Sequence, residues 1–311
     1  MASASSHALR CGICIATHNR RKDLARTLAI IANLDPAPTE VQITADGCTD
    51  GTIELVKENY PQHRLTINRD ARGSTGSRHA MFEAATADII LILDDDSYPI
   101  ETDFLARLPR LFEERPRLAV AHFPQRTDES PTSLTATDFG PSYFAGTYVN
   151  CAAAIRRAAF LEVGGYPEEF RIAYDEPDFA LRCLSAGWQV RYETSLTIRH
   201  HYSGVMRSEM RMHHTHARNE LWSVLFHCPA PQLAAVGLFR AVRQFGYAWR
   251  RGLSWVAREP QWWLAALRGS RACWQKRQPL PWSRYRAWME LVRRPIHTDA
   301  EWAEKFGEHA P

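Results

Sequence analysis

The sequence predicts an α/β protein in two parts. A mostly parallel sheet flanked by helices occupies residues 8–228, and a helical extension rich in Trp and Arg follows over 229–311. Three observations carry this reading. Short apolar runs alternate with amphipathic segments through the first 120 residues, the pattern of βαβ units. One of those runs, DIILIL at 88–93, leads straight into Asp94-Asp95-Asp96. Charge and aromatics are also split: residues 1–200 carry 21 Lys/Arg against 27 Asp/Glu, whereas 201–311 carry 17 against 8 and hold nine of the ten tryptophans.

Taken in order, CGICIA at 11–16 is a buried strand ending at the polar stretch 17–20. A helix follows from Arg21 to Asn33, with Leu24, Leu28 and Ile31 on one face, and Asp35-Pro36 closes it. Val41–Thr44 is a second strand, after which Thr49-Asp50 cap a helix reaching Asn59. Arg64–Ile67 is a third strand, Gly73–Ala85 a helix, and Asp88–Leu93 a fully buried fourth strand. Beyond these, the spacing predicts strands at Tyr148–Ile155 and Gln189–Ile198, and helices at Arg157–Val163 and Glu176–Ala186. From Met206 onward the chain reads as helical and is broken by prolines. In parallel sheets ligands collect at the carboxyl ends of strands, so the polar clusters at 17–20, 46–50, 70–74 and 94–97 are expected to converge.

Several classes are excluded. No apolar run approaches the roughly 20 residues of a membrane span, and the first ten residues lack the apolar stretch of a signal peptide. Seven cysteines, an odd and scattered set, fit reduced thiols in a cytoplasmic protein. Cys11 and Cys14 form a lone CxxC whose side chains would point to opposite faces of a strand, which disfavours zinc or redox use. The sequence pI of 8.5 and the lack of a recognised motif point away from nucleic acid.

The aspartate triplet is the strongest chemical signal. Carboxylates crowded at one strand end repel unless a cation compensates, and oxygen ligation suits Mg²⁺ or Mn²⁺ bridging a diphosphate. A helix cap needs one carboxylate rather than three. RGSTGSR at 72–78 opens a helix whose exposed amides, with Arg72 and Arg78, can hold phosphate; a simple turn is the plain alternative.

The ordered motifs ICIATHNR (13–20), ADGCTDGT (45–52), RGSTGSRH (72–79), LDDD (93–96), GGYPEEF (164–170), DEPDFALR (175–182) and ARNELW (217–222) resemble the inverting nucleotide-sugar glycosyltransferases of family 2, with the GT-A fold. The resemblance spans roughly residues 11–222. It implies a nucleoside-diphosphate-sugar donor, Mn²⁺ or Mg²⁺ as cofactor, and a saccharide or lipid-linked saccharide acceptor. Thr17, Arg20 and Asp46 would line the nucleobase and ribose, with Asp94 on the ribose side beside Asp95. Asp96 would hold the metal, joined by His200 or His201, and Arg78 would lie near the phosphates. The family's base belongs to an acidic pair before a helix. Here the order is reversed to Asp175-Glu176; counting back from Arg182 places Glu176 at the base position, with Asp175 as the alternative. The chain departs from the family pattern at Ala45-Asp46-Gly47, where an acidic residue often stands first.

Two features stay open on sequence alone. Arg207, Arg211, His214 and Arg218 recur along one helical face, either as a solvated stripe or as a clamp on a donor or acceptor phosphate. The Trp- and Arg-rich segment 229–294 either lies on a membrane at the cytoplasmic face or packs as a helical subdomain. The reading is a metal-dependent inverting glycosyltransferase of cell-surface saccharide synthesis. Its rivals are a non-catalytic nucleotide-sugar or saccharide-binding module and a Mg²⁺-dependent nucleotide phosphohydrolase.

Overall fold

The computed structural model describes residues 8–202 and 208–307. Its eleven strands are β1 (Cys11–Thr17), β2 (Glu40–Asp46), β3 (Arg64–Asn68), β4 (Ile89–Asp94), β5 (Ser97–Pro99), β6 (Leu118–His122), β7 (Gln125–Thr127), β8 (Tyr143–Phe144), β9 (Ala153–Arg156), β10 (Gln189–Tyr192) and β11 (Ile198–His200). The main sheet runs β3-β2-β1-β4-β9-β6-β10-β8. The pairs β3–β2, β2–β1, β1–β4 and β6–β10 are parallel, while β9 runs antiparallel between β4 and β6. A second sheet, β5-β11-β7, stands beside it.

The near-continuous apolar character of β1 and β4 follows from burial on both faces. Cys11, Ile13 and Ile15 join the core beneath the helix Arg21–Ile31, while Cys14 joins the opposite layer with Met81, Phe82 and Phe160. The two cysteines of the CxxC therefore do face opposite sides, and burial pushes the Cys11 thiol up to about 12. In register, Ala16 lies opposite Asp94 and Asp46 opposite Asn68. The polar ends of the first four strands are thereby brought level along one edge.

Two elements differ from expectation. The segment 148–155 is a 3-10 turn, Asn150–Ala152, that only then enters β9; this frees Asn150 to bond with side chains rather than a neighbouring strand. The run 189–198 is two strands in different sheets. The polar stretch Glu193-Thr194-Ser195 breaks it, and β11 pairs with β5 so that His200 lies opposite Ser97. The small sheet thus carries a residue from near position 200 to the aspartate triplet.

The extension is five helices: Ala230–Arg251, Leu253–Val256, Glu259–Gln275, Trp282–Arg293 and Asp299–Phe306. Its last two share a core with the main domain, where Trp288, Leu291, Trp302 and Phe306 pack with Phe144, Leu181 and Leu184. Trp288 donates its indole N–H to the Gly146 carbonyl at 2.8 Å. Trp262, Trp288 and Trp302 are buried, yet Trp249 is 62% exposed and Trp274 53%. The packed-subdomain reading thus holds for Trp262, Trp288 and Trp302, while Trp249 and Trp274 stay on the surface. Among the described residues, no helix is long and apolar enough to cross a membrane.

Candidate active site

The site forms where β1, β4 and the small sheet meet. Asp94 ends β4, and its backbone N–H donates to Ser97 Oγ at 2.8 Å, which turns the chain sharply after the strand. This turn sends the three carboxylates apart. Asp95 and Asp96 are buried, whereas Asp94 is partly exposed. Arg20, at the end of the loop after β1, lies 2.9 Å from Asp95 and 2.5 Å from Asp96. Thr17 Oγ1 donates to Asp95 at 2.7 Å. Arg78, on the helix Ser74–Ala84, pairs with Asp94 at 2.6 Å and lies 3.7 Å from Asp175.

These partners separate the acidities. Burial pushes Asp95 up to about 7, with the Arg20 charge and the Thr17 hydrogen bond pulling the other way. Burial acts on Asp96 too, but hydrogen bonds from His200 and Arg20 prevail and hold it at about 2. His200 Nε2 lies 3.3 Å from Asp96. His201 points elsewhere, as alternation along a strand requires: its ring meets the Tyr98 hydroxyl at 2.7 Å and Arg199 at 3.1 Å. Of the histidine pair, His200 brings its ring to the triplet, while His201 meets it through its backbone N–H, which donates to the Asp96 carbonyl at 2.8 Å.

Asp46 is a brace. Its carboxylate accepts from Asn68 Nδ2 at 2.7 Å and from the backbone N–H groups of Arg72 and Gly73 at 2.9 and 2.8 Å. It therefore fixes the start of the Ser74–Ala84 helix, while the Arg72 residue itself is exposed. Gly73 sits at φ +93°, and a Cβ there would come within 2.2 Å of the Arg171 carbonyl oxygen. Only glycine lets the turn after Phe170 approach so closely.

That turn delivers the acidic pair. The helix Asp175–Ser185 begins with Asp175, Glu176 and Asp178 in its first turn, where the helix dipole favours negative charge. Each has a different task. Asp178 pairs with Arg182 at 2.9 Å and His227 at 3.0 Å, an anchor to the helix Glu209–His227. Asp175 is buried and accepts from Asn150 Nδ2 at 3.0 Å. Asn150 is held by the Tyr166 hydroxyl at 2.9 Å, which meets Tyr148 at 2.7 Å. Glu176 faces a cavity of about 430 Å³ that is also lined by Arg78, Asp94, Asn150, Cys151 and His200. Burial and the neighbouring Asp175 charge push the Glu176 carboxyl well above the usual carboxylate range.

The donor atoms of Asp94, Cys151 and His200 lie within 4.8 Å of one another, a set able to hold a divalent ion. Cys151 and Asn150 were not singled out from sequence, because the NCAAAI run reads as strand core. Asp96, the expected ligand, is turned inward onto Arg20. The helical cationic stripe is also redistributed. Arg211 is exposed, His214 lies 3.9 Å from the buried Glu259, and Arg218 stacks its guanidinium 4.4 Å over Trp222. Arg207 lies outside the described residues.

The ionic core makes a testable demand. Arg20→Met strands Asp95 and Asp96, and unfolding free energy in EDTA at pH 7 is expected to fall by about 3–5 kcal/mol. The sign with pH follows from Asp96. Its contribution is present above the ordinary carboxylate pKa of about 3.9 and lost as pH falls toward about 2. Urea melts should show the variant's deficit shrinking at low pH.

Comparison with known proteins gives this arrangement a family. The sequence profile described as Glycosyl transferase family 2 matches residues 12–165. The O-antigen chain rhamnosyltransferase RfbN of Salmonella typhimurium is 24% identical over 270 residues, 80% of each chain. The N-acetylglucosaminyl-diphospho-decaprenol L-rhamnosyltransferase of Mycobacterium tuberculosis is 23% identical over 78% of this chain and 87% of its own. Among solved structures, residues 1–349 of S. aureus TarS in complex with UDP-GlcNAc superpose with a TM-score of 0.60 at 16% identity, covering 92% of both chains. The mannosyltransferase PcManGT of Pyrobaculum calidifontis, in complex with GDP-Man and Mn²⁺, gives 0.55 at 18%, over 93% and 87%. Through the match over residues 12–165 the chain is a family 2 glycosyltransferase, and its fold is GT-A.

Proposed function

We propose that this enzyme transfers a sugar, rhamnose in the first instance, from a nucleoside diphosphate to a hydroxyl of a saccharide carried on a lipid, with inversion at the anomeric carbon. The observation that carries the reading is that Glu176 opens on the same cavity as Asp94, Arg78 and His200, while Asp175 beside it is tied to Asn150. The names of the relatives support rhamnose and a lipid-linked or O-antigen acceptor.

In the reaction Glu176 takes the proton of the acceptor hydroxyl as its oxygen bonds to the anomeric carbon. The bond from that carbon to the donor diphosphate breaks, and the diphosphate leaves on the opposite face. Arg78, which lines the cavity, neutralises it. Thr17, Arg20 and Asp46 shape the donor side from behind, by fixing the aspartates and the 72–73 turn. Asp94 and His200, with Cys151 in reach, are the residues that would hold a divalent ion. The ion would supply positive charge to the leaving diphosphate, and the mixed carboxylate, imidazole and thiol set suits Mn²⁺ better than Mg²⁺. The catalytic machinery falls in residues 8–228 and the extension 229–311 serves the acceptor.

The extension supports a site of work at the inner face of a membrane. Residues 229–294 hold 13 Lys/Arg against two Asp/Glu, and one of those acids, Glu259, is buried. Leu238, Val242, Trp249, Leu253, Leu264 and Leu267 are all more than half exposed. Leu238 and Leu267 border an apolar groove of about 530 Å³ between the helices 209–227, 230–251 and 259–275. Exposed apolar side chains on a segment whose Arg243, Arg250, Arg251, Arg258, Arg268 and Arg271 are also exposed fit the headgroup region of anionic lipids.

Two outcomes test the proposal. Glu176→Gln should lower kcat by about 10²–10⁴-fold, the weight of a general base. Because the base must be ionised and burial beside Asp175 raises its pKa, the wild-type rate should keep rising with pH above the ordinary carboxylate range. Transfer is followed by NMR with nucleoside-diphosphate rhamnose and a lipid-linked N-acetylglucosamine acceptor, which also reports the anomeric configuration. Retained transfer in the variant, or a retained configuration, contradicts the base. Separately, the protein should cosediment with phosphatidylglycerol vesicles, and Leu238→Glu with Leu267→Glu should weaken this about tenfold. Full-length protein that stays in the supernatant contradicts the membrane reading.

A further inference from the structure

The turn that presents the base is held in a conformation its residues disfavour. Arg171, Ala173 and Tyr174 have φ of +62°, +68° and +67°, and none is glycine. A run of left-handed residues bearing Cβ atoms persists only where its surroundings impose it. Tyr174 is the residue immediately before Asp175-Glu176, so the direction of both carboxylates depends on this run.

One side chain gathers the turn. Asn219 Nδ2 donates to the carbonyls of Phe170 at 3.0 Å, Ile172 at 2.9 Å and Ala173 at 2.8 Å. Asn219 is fully buried. Its Oδ1 accepts from Arg218 Nε at 3.0 Å and Nη2 at 2.8 Å, which orients the amide so that its N–H groups face the three carbonyls. Arg218 is itself braced by Trp222 and donates to the Phe170 carbonyl at 3.2 Å. The next residue, Glu220, accepts from the Tyr174 hydroxyl at 3.4 Å and is tied to Arg240, Arg243 and Gln244 of the extension. On the other side, the Arg171 carbonyl accepts from the Thr75 N–H at 3.0 Å, linking the turn to the helix that carries Arg78.

We infer that Asn219, oriented by Arg218, is the positioning residue for the base: it imposes the left-handed turn 171–174 and so aims Glu176 into the cavity. It acts through the backbone and does not line the cavity. Glu220 adds a tie from Tyr174 to the helix 230–251, so the extension is mechanically joined to the same turn. This gives a task to the ARNELW segment that neither donor nor acceptor binding assigns. The inference rests on the reading of Glu176 as base.

The test uses the full-length protein and two independent readouts. In Asn219→Ala, amide hydrogen exchange across 170–178 should quicken about tenfold while β1 and β4 keep their protection. With nucleoside-diphosphate rhamnose and the lipid-linked N-acetylglucosamine acceptor, kcat should fall about tenfold with donor KM within about twofold. Adding Ala173→Gly, which adopts positive φ without steric penalty, should restore a substantial part of both. A side chain that merely fills space would give no such rescue. Should Asn219→Ala fail to fold, Arg218→Met, which leaves Asn219 unoriented, should show the same local exchange increase, about threefold. Unchanged exchange at 170–178 in these variants, or no rescue by glycine, overturns the inference. If exchange and rescue behave as expected but Glu176→Gln keeps wild-type transfer, the positioning stands and the identity of the base falls.

Discussion

Three aspartates at the end of one strand cannot coexist without partners, and the way this chain supplies them organises the site. Arg20 takes Asp95 and Asp96; Arg78 takes Asp94. Because Arg20 comes from the loop after β1 and Arg78 from the helix after β3, the pairings bind the loop ends of the parallel sheet to one another. The buried pair, Asp95 and Asp96, is thereby held against Arg20. The partly exposed Asp94 is the member left facing the cavity.

Around this core the molecule assembles pieces from distant sequence. The small sheet brings His200 to Asp96 by pairing β11 with β5, and the 3-10 turn before β9 brings Asn150 and Cys151. The helix 175–185 enters from the other side, with its first turn anchored by Asp178 to His227 and its approach clamped by Asn219. The extension closes on the rear of this helix through Leu181, Leu184, Trp288 and Leu291, and leaves its arginine-rich, apolar outer face exposed. One end of the chain therefore supports the helix that carries Glu176 from within and presents a surface outward.

Much of this was legible in the sequence, for a physical reason. Buried parallel strands must be apolar throughout, so β1 and β4 announce themselves, and polar residues straight after them mark the ligand edge. Elements that owe their form to tertiary partners were not legible. The run 189–198 alternates like one strand, and only its pairing with two different sheets splits it. The sequence left His200 and His201 as alternatives, and the pairing of β11 with β5 brings the His200 ring to Asp96. Spacing placed Arg211, His214 and Arg218 on one face; the helix carries them into different company, because the extension covers part of that face and Trp222 captures Arg218. The left-handed turn before Asp175 had no signal at all, since its residues are held against their own preference by Asn219.

We propose that Asp94 and His200 face the cavity and hold the ion, and that the acids behind them serve the fold. Mn²⁺ titration of the full-length protein, followed by the electron paramagnetic resonance signal of the free ion, tests this most directly. Asp94→Asn and His200→Gln are each expected to weaken Mn²⁺ binding by about tenfold or more while the fold persists. Mn²⁺ affinity unchanged in both variants would contradict the assignment.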